Sequence, residues 1–386
     1  MRPLLFTATL LAAACTGDAT VAQNNAVATV PNSADPATGE RPFQTATVAD
    51  FDAPWAMTFL PDRRMLVTEK AGQLLLVTAD GQQRVSVSGI PAVDSAGQGG
   101  LMDVVLHPQF ATNNIVYLTA SQAGEGGKGL VLMRGRLVEQ GGQARLDGLS
   151  TIFRSNQFVE GNGHYSGRIA FSPDGQYLFL TSGERQKFDP AQDPKSTLGK
   201  VLRLTPDGQP APGNPLAAQG FHPAVWSYGH RNLLGIAFDA SGNLWEQEMG
   251  PKGGDELNLI LPGRNYGYPL VSDGDHYDGR PIPDHDTRPD LEKYKVNWTP
   301  VISPGGLMIY SGSLFPQWQG DAFIGGLSSK ALVHVDLDGT NATKGGQWDM
   351  GARIREVEQG PEGAIYVLED GADGSQGRLM RLTPAA

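Results

Sequence analysis

A sequence pattern that predicts two successive strands recurs along the chain, and it constrains the possible folds more than any other feature of the sequence. Each copy consists of a short apolar run, a turn containing Pro, Asp or Gly, and a second run that favours β-structure. Two further β-rich runs follow several copies, as at residues 73–77 and 331–337. The copies occupy residues 55–68, 101–119, 168–181, 235–246, 307–325 and 355–368.

Six such units predict an all-β fold, a six-bladed β-propeller of four-stranded antiparallel blades. The units are unevenly spaced, which indicates long loops between blades, and such loops commonly carry the chemistry. A β-sandwich is the alternative, but it needs fewer strands and would not repeat this two-strand pattern. No apolar 3.6-residue period of useful length occurs, so we expect few helices.

Composition agrees with a single turn-rich domain. The 386 residues include 50 Gly and 27 Pro, which favours turns over long helices, and all-β domains can reach this length. The net charge of −11 offers no basic face for phosphate groups. We therefore expect no nucleic-acid partner.

The N-terminus differs from the rest of the chain. Residues 1–22 combine Arg2, a short apolar core and small residues, which is typical of a secretory signal, with cleavage after Ala14 or Ala22. The only cysteine, Cys15, follows small residues and resembles the lipidated cysteine of a bacterial lipoprotein. In either case the mature protein is predicted to be periplasmic or exported, and a lipid on Cys15 would be its only contact with a membrane.

The composition changes again after the signal. Residues 23–42 are rich in Ala, Asn, Pro and Thr without an apolar period, so they predict a flexible linker. The propeller domain is then expected at residues 43–386.

A histidine lies in one of the loops that precede a repeat unit. His164 follows a glycine-rich segment, and at the mouth of a propeller a neutral imidazole could take a proton from a substrate hydroxyl. The alternative is a loop histidine without a catalytic role. Gln98 occupies the equivalent place in an earlier unit, and Arg231 and Asn232 occupy it in a later one.

Two arginines begin the last full unit. Arg353 and Arg355 are two residues apart, so in a strand their guanidinium groups share a face. On an acidic protein such a pair often forms ion pairs. Several arginines collected at one pole with His, Gln and Asn instead favour a polyanionic ligand.

The loop at residues 250–256 is rich in glycine and carboxylates. Gly250, Pro251 and the glycines that follow would leave main-chain carbonyls outside any sheet, and such carbonyls suit a hard cation. A solvated hairpin loop is the alternative.

These residues also match a known family. The matching motifs lie at residues 99–103, 164–168, 227–232, 253–260, 265–269 and 353–357. On these motifs the chain resembles the soluble, calcium- and pyrroloquinoline-quinone (PQQ)-dependent aldose sugar or glucose dehydrogenases. The resemblance covers residues 43–384 and implies a six-bladed propeller.

The resemblance implies roles for the residues at the mouth. His164 would be the general base that takes the proton from the anomeric hydroxyl of the sugar, and Arg231 would stabilise the developing oxyanion. The residues that would hold the quinone are Arg231, Asn232, Gln98, Arg353 and Arg355.

The resemblance also implies metal and substrate sites. The main-chain carbonyls of Gly250 and Pro251 would hold a catalytic Ca²⁺, and Glu256 and Tyr266 would hold a structural one. Trp298 would stack on the sugar, although a core tryptophan is the alternative.

Two positions depart from the family pattern. Glucose-oxidising members carry Asp before the histidine, where this chain has Gly163, so another group would have to orient the imidazole. A lysine that contacts the quinone in some members is replaced by Ser328. Lys330, expected two residues further along the same strand face, would substitute for it.

The expected function is oxidation of aldose sugars at C1 to lactones, with electrons passed to an external acceptor. A calcium-dependent lactonase is one alternative, and it would need carboxylates around the central channel. A non-catalytic propeller that binds sugar or protein is another.

Overall fold

The computed structural model describes residues 40–385, and these residues are mainly β-strands joined by loops. The described part contains one short α-helix, α1 (Phe110–Asn113), and four single 3₁₀ turns. Within residues 40–385, no helix has the length and hydropathy needed to cross a membrane. The all-β prediction is confirmed. The proposed signal, Cys15 and most of the linker lie outside the described residues.

The first half of the chain forms thirteen strands. They are β1 (Phe43–Asp50), β2 (Pro54–Phe59), β3 (Met65–Glu69), β4 (Gln73–Val77), β5 (Arg84–Ser88), β6 (Leu101–Leu106), β7 (Ile115–Gly124), β8 (Gly127–Gln140), β9 (Gln143–Arg154), β10 (Ser166–Phe171), β11 (Leu178–Ser182), β12 (Lys200–Leu204) and β13 (Val225–Tyr228). The 3₁₀ turns of this half are Asp189–Ala191 and Ala217–Gln219.

The second half forms thirteen more strands. They are β14 (Leu233–Phe238), β15 (Leu244–Glu248), β16 (Lys252–Gly253), β17 (Asp255–Leu259), β18 (Gly274–Asp275), β19 (Val296–Trp298), β20 (Pro304–Ile309), β21 (Ala322–Gly326), β22 (Ala331–Asp338), β23 (Asn341–Asp349), β24 (Ile354–Gln359), β25 (Ile365–Glu369) and β26 (Arg378–Pro384). The 3₁₀ turns of this half are His285–Thr287 and Pro316–Trp318.

Four sheets of the described chain contain four antiparallel strands each. Their orders are β10-β11-β12-β13, β14-β15-β17-β19, β20-β21-β22-β23 and β1-β26-β25-β24. In the last of these, β1 pairs with β26 from Phe43 opposite Pro384 to Asp50 opposite Arg378. The N-terminal strand therefore completes a sheet whose other three strands come from the C-terminal end.

A further sheet has eight strands, in the order β2-β3-β4-β5-β9-β8-β7-β6. Its two halves are antiparallel, and the parallel pairing of β5 with β9 joins them at Val87 opposite Ala144 and Ser88 opposite Arg145. A small additional sheet pairs β16 with β18. The observed sheets thus have two, four or eight strands.

The first strand of each repeated two-strand pattern contacts the first strand of the next, and these contacts form a closed cycle. β2 contacts β6, and the contacts continue through β10, β14, β20 and β24 back to β2. The approach is close: a Cβ added to Gly235 on β14 would lie 2.4 Å from Leu307 Cβ on β20. Glycine permits this spacing because it has no side chain to clash.

Packing between sheets explains why the second strands are buried. β3, β11, β15, β21 and β25 are buried along their whole length because neighbouring sheets cover both of their faces. Outer strands such as β9 and β23 are partly exposed and more polar. Burial of apolar surface in these layers is the main source of stability.

The loops that precede the inner strands carry the predicted site residues. Gln98 precedes β6, His164 precedes β10, Arg231 precedes β14 and Arg353 precedes β24. Equivalent positions in successive units therefore supply side chains to one region.

Candidate active site

His164 lies at the centre of this region, and two neighbours position it. The histidine is 5 % exposed, and its backbone N–H donates a hydrogen bond to Gln98 Oε1 at 2.7 Å. Its Nδ1 is hydrogen-bonded to Oε1 of Glu184, which is fully buried. Gln98 and His164, predicted to share the mouth, are thus in direct contact.

Glu184 is itself fixed by the loop that follows it. Its carboxylate accepts hydrogen bonds from the backbone N–H groups of Gln186, at 2.9 Å, of Lys187 and of Phe188, at 2.7 Å. Arg185, Gln186 and Phe188 all have positive φ angles, between 58° and 62°. Non-glycine residues adopt this conformation at a cost of about 1–3 kcal/mol each, and such strain clusters at functional sites.

The surroundings of His164 favour the neutral imidazole. Burial, with the nearby charge of Arg231, lowers the pKa of His164 to about 4. Burial acts to raise the pKa of Glu184, but the hydrogen bonds from His164 and the loop outweigh it, so that pKa is lowered. The carboxylate therefore holds the proton on Nδ1. Within residues 40–385 no hydrogen bond occupies Nε2, which is left with a lone pair that can accept a proton.

Arg231 is a buried cation without an acidic partner. It is 5 % exposed, and its Nη1 donates to the carbonyls of Met249, at 2.8 Å, and Gly250, at 2.6 Å. Among the described residues, its Nε has no hydrogen-bond partner and no carboxylate lies within ion-pair distance of it. A buried guanidinium in this state is suited to an anionic ligand.

Asn232 is next to Arg231 and is 1 % exposed. Ser166 Oγ donates to Asn232 Oδ1 at 3.3 Å, and Ser166 follows His164 by two residues. The structure therefore brings His164, Arg231 and Asn232 together, as the sequence predicted.

Arg353 and Arg355 converge on one carboxylate. Arg353 Nε donates to Asp370 Oδ2 at 2.6 Å, and Arg355 Nη2 lies 3.6 Å from the same oxygen. Burial lowers the pKa of Arg355 to about 10. Lys70 lies nearby, and burial and the charge of Arg355 lower its pKa as well. Arg353 Nη1 also lies 3.6 Å from Oδ2 of the exposed Asp373. With Lys70, three cationic side chains at this corner face two carboxylates, Asp370 and Asp373, which leaves an excess of positive charge.

A chain of contacts connects this corner to His164. Lys70 Nζ donates to the carbonyl of Gly97, and the next residue, Gln98, accepts the hydrogen bond from His164. Arg353 and Arg355 thus form ion pairs and also lie at a corner with excess positive charge, so they can pair with Asp370 and still attract an anionic ligand. Lys70 and Asp370 were not predicted, because no motif marks either residue.

Glu184 was also missed, although the sequence carries a signal for it. A glutamate recurs at the end of the second strand of several units, as Glu69, Glu248 and Glu369, and Glu184 follows β11 in the same way. Glu69 and Glu248 also accept backbone N–H groups, from Asp52 and Arg231. This recurrence could have identified Glu184 as a residue that fixes a loop.

Gly163 has a direct structural explanation. A Cβ added at this position would lie 2.6 Å from the side-chain amide of Gln186, so an Asp here would require that side chain to move. The imidazole is oriented by Glu184 and not by its preceding neighbour. Glu184 is therefore the other group that the sequence required to orient the imidazole in the absence of an Asp at position 163.

The loop predicted to bind a cation is held by Asp255. This carboxylate accepts the N–H of Gly250 at 2.9 Å and that of Ser303 at 2.7 Å, and burial raises its pKa to about 7. The carbonyls of Met249 and Gly250 converge on the Arg231 guanidinium, and Pro251 is buried. This corner already accepts a cationic group.

Glu256 and Tyr266 line one small cavity together with Glu248 and His285. Glu256 Oε1 lies 3.2 Å from His285 Nε2. The hydroxyl of Tyr266 donates to the carbonyl of Leu259 and accepts from a backbone N–H. Tyr266 could therefore bind a metal only through its main-chain carbonyl.

Two predicted residues share none of the contacts given above for the site. Trp298 is 4 % exposed and packs in the hydrophobic core with Trp245 and Leu257, which is the alternative stated for it. The prediction that Lys330 shares a strand face with Ser328 is wrong, because β21 ends at Gly326 and residues 327–329 form a bend. Lys330 is exposed directly after that bend, with a positive φ of 53°.

Comparison with known proteins gives concordant results. The family model described as Glucose / Sorbosone dehydrogenase matches residues 51–381. Aldose sugar dehydrogenase YliI of Escherichia coli is 38% identical over 341 residues, which cover 86% of this chain and 90% of that protein.

Solved structures agree with these matches. A crystal structure of glucose dehydrogenase is 38% identical with a TM-score of 0.84, covering 89% of this chain and 100% of the other. The PQQ-bound form of aldose sugar dehydrogenase from Streptomyces coelicolor is 30% identical with a TM-score of 0.72, covering 88% and 98%.

Proposed function

The chain belongs to the glucose/sorbosone dehydrogenase family, and from that premise we propose that it oxidises aldose sugars at C1 to lactones. The proposed cofactors are PQQ and Ca²⁺, and the electrons pass to an external acceptor. Relatives named as aldose sugar dehydrogenases, one of them in a PQQ-bound form, support sugar oxidation with this quinone.

The observation that carries the proposal is the state of His164. A neutral imidazole, held through Nδ1 by Glu184, presents Nε2 as a general base. Nε2 would take the proton of the C1 hydroxyl while the C1–H bond breaks with its electron pair, which turns C1–OH into the carbonyl of a lactone. When bound, the quinone would supply the acceptor for that hydride.

Arg231 would serve the same step through its charge. As the hydroxyl loses its proton, negative charge develops on the sugar oxygen, and a buried guanidinium nearby would stabilise it. The Nε donor has no partner in the described chain, so part of the guanidinium charge is not compensated by the protein. The donor is oriented before the reaction because two carbonyls hold Nη1 in place.

The same region fits a cofactor that carries several carboxylates. Arg231 lacks an acidic partner in the described chain. Arg353 and Arg355 share Asp370, and the exposed Asp373 is a further partner of Arg353 only. We propose that these three arginines, with Asn232 and Gln98, hold PQQ. Lys70 takes the place in this proposal that the sequence suggested for Lys330.

Calcium fits the loop at Gly250 under one condition. Carbonyl oxygens of Gly250 and Pro251 are suitable ligands for a hard cation, but the Gly250 carbonyl already accepts a hydrogen bond from Arg231. We propose that Ca²⁺ and the guanidinium share this carbonyl, which has two lone pairs. A second Ca²⁺ at Glu256 and the Tyr266 carbonyl would replace the contact of Glu256 with His285.

We further infer that the six units are six four-stranded blades. The closed cycle of contacts among β2, β6, β10, β14, β20 and β24 supports a ring. The eight-stranded sheet supports it as well, because only two residue pairs join its antiparallel halves. We also propose export of the mature protein after removal of residues 1–22, with lipidation of Cys15 as the alternative route to the envelope.

The test is dye-coupled oxidation of a panel of aldoses by the purified protein. Assays contain Ca²⁺ alone, PQQ alone, or both, and a parallel set uses His164→Ala. We expect activity only with both additions and a loss of at least a hundredfold in the variant. Absence of activity with every sugar, together with absence of PQQ binding by absorbance, would overturn the proposal, and lactone hydrolysis would be assayed next.

A further inference from the structure

One face of the β15–β17 strand pair carries three buried glutamates, which is unusual for a sheet. Glu246 and Glu248 alternate on β15, and the register sets Glu246 opposite Asn258 and Glu248 opposite Glu256 on β17. These side chains are between 0 and 6 % exposed. Like charges directly opposite each other destabilise a sheet, and a buried carboxylate is costly unless it is compensated.

The described protein compensates this charge incompletely. His285 Nε2 lies 3.2 Å from Glu256, and His230 Nδ1 lies 3.1 Å from Glu248 Oε1. The amide nitrogen of Asn258 donates to Glu246 Oε2 at 3.2 Å and lies 3.4 Å from the other two carboxylates. No lysine or arginine within residues 40–385 forms an ion pair with any of the three glutamates.

Glu246 is the least satisfied member of this face. It is fully buried, and its Oε1 accepts no hydrogen bond from any residue that the structure describes. A buried carboxylate oxygen normally has a partner, so an unpartnered one indicates a missing ligand. Glu246 belongs to a cluster in which one ligand atom each of His230, Glu246 and Glu248 lie within 4.8 Å of one another.

We propose that His230, Glu246 and Glu248 hold a structural divalent transition-metal ion of the Zn²⁺ type. Two carboxylates and one imidazole are common ligands of such ions, and the imidazole favours them over Ca²⁺ and Mg²⁺. In a tetrahedral Zn²⁺ site neighbouring ligand atoms are about 3.3 Å apart. The 3.1 Å between His230 Nδ1 and Glu248 Oε1 already matches this spacing.

The hydrogen-bond pattern around His230 is compatible with a metal ligand. His230 Nε2 lies 2.9 Å from Ser227 Oγ, so a proton on Nε2 would leave Nδ1 free for the ion. A divalent ion would also cancel the two carboxylate charges. None of the three ligands is among the Ca²⁺ ligands proposed at Gly250, Pro251, Glu256 and Tyr266, although Glu248 lines the same small cavity as Glu256 and Tyr266.

The ion would also be linked to the active site through Glu248. The other oxygen of this carboxylate accepts the backbone N–H of Arg231. The ion would therefore tie β15 to the loop that carries Arg231. Three protein ligands leave the fourth position of a tetrahedral ion to a water molecule. Because His230, Glu246 and Glu248 are all buried, we assign the ion a structural role and not a role in binding substrate.

The test measures metal content and thermal unfolding of the full chain, without quinone or sugar. The protein is unfolded in EDTA and refolded in excess Ca²⁺, with or without Zn²⁺. We expect one Zn²⁺ per chain by elemental analysis and a rise in Tm of at least 5 °C. Glu246→Gln should lose the Zn²⁺ and the rise in Tm. The matched control Glu358→Gln, at a strand glutamate outside the cluster, should keep both.

Three results would overturn the proposal. One is no Zn²⁺ uptake by the wild type while Ca²⁺ sites are saturated. Another is an unchanged Zn²⁺ content in Glu246→Gln, which would place the ion elsewhere. If Glu246→Gln does not refold, X-ray absorption on the wild type decides, because a coordination shell without an imidazole would contradict the site. None of these results depends on dehydrogenase activity.

Discussion

The molecule contains two histidine–glutamate pairs that use the same atoms and differ in their surroundings. In both, a histidine Nδ1 faces Oε1 of a glutamate located at or just after the end of a second strand: His164 with Glu184, and His230 with Glu248. His164 leaves Nε2 without a hydrogen bond from the described residues, whereas His230 Nε2 contacts Ser227 Oγ at 2.9 Å. His230 is also fully buried.

The difference shows that the pair alone does not define a catalytic histidine. A glutamate at Nδ1 fixes the ring in both cases. Whether the second nitrogen is available then decides what the ring can do. His164 can accept a proton from a substrate, while His230 is bonded on both sides and can only hold structure or a metal.

The strongest test of this contrast replaces each histidine with alanine. His164→Ala should lower kcat for aldose oxidation by about 10³-fold, because it removes the general base. It should change Tm less than His230→Ala does, because Glu184 keeps three backbone N–H donors. His230→Ala should lower stability by about 3 kcal/mol, because it removes the histidine partner of the buried Glu248, which keeps only the Arg231 N–H and the Asn258 amide. The kcat of its folded fraction should fall less than tenfold. Dye-coupled kinetics and thermal unfolding measure both, and the reverse pattern would contradict the assignment.

The second test changes the residue that orients His164. Glu184→Gln removes the charge that holds the proton on Nδ1, and we expect kcat to fall by about 10²-fold with little effect on KM. Glu69→Gln, at the equivalent strand end of another unit, is the matched control. An equal loss in both variants would mean that Glu184 acts only through folding.

A third test uses pH and stability. The folded-state pKa of His164 is about 4, below its ordinary value of 6.5, so the unfolded chain binds more protons between these values. The stability contribution is complete above pH 6.5 and is lost as the pH falls toward 4. Between pH 7 and pH 5, the wild type should lose about 2 kcal/mol more than His164→Gln in urea unfolding. Equal losses would mean that His164 is not held neutral by burial.

The smallest expected effect concerns the far side of His230. Ser227→Ala leaves the Nε2 group of a buried ring without its partner, which should cost about 1 kcal/mol of unfolding free energy. Aldose oxidation should stay within twofold of the wild type. Urea unfolding measures the loss of stability, and steady-state kinetics measures the activity. A large loss of activity would mean that the two histidines are not separate in function.

Much of the site could be predicted because it depends on local position. Gln98, His164 and Arg231 each precede an inner strand of a repeated unit, so the repeat alone places them at equivalent points. A prediction that needed the exact end of a strand failed, as for Lys330, because the strand ends before the bend at residues 327–329 and the alternation of side chains ends with it. The role of Trp298 could not be decided from the sequence either, because a tryptophan in a short strand suits either a core or a sugar site.

The partners of the predicted residues were beyond the sequence. Glu184 lies 20 positions after His164, and Asp370 lies 17 after Arg353; neither pairing follows from spacing. Lys70 joins the site through Gly97, a contact across 27 residues. Such contacts are made by loops whose relative position depends on how the sheets pack.

The sequence by itself determined the all-β architecture, the repeated unit and the loops that supply the chemistry, because these follow from alternation of apolar residues and from turn chemistry. Only the tertiary structure decided which carboxylate meets which histidine, and which histidine nitrogen stays open. The physical reason is that protonation, burial and hydrogen bonding depend on groups far apart in the chain that packing brings within about 3 Å.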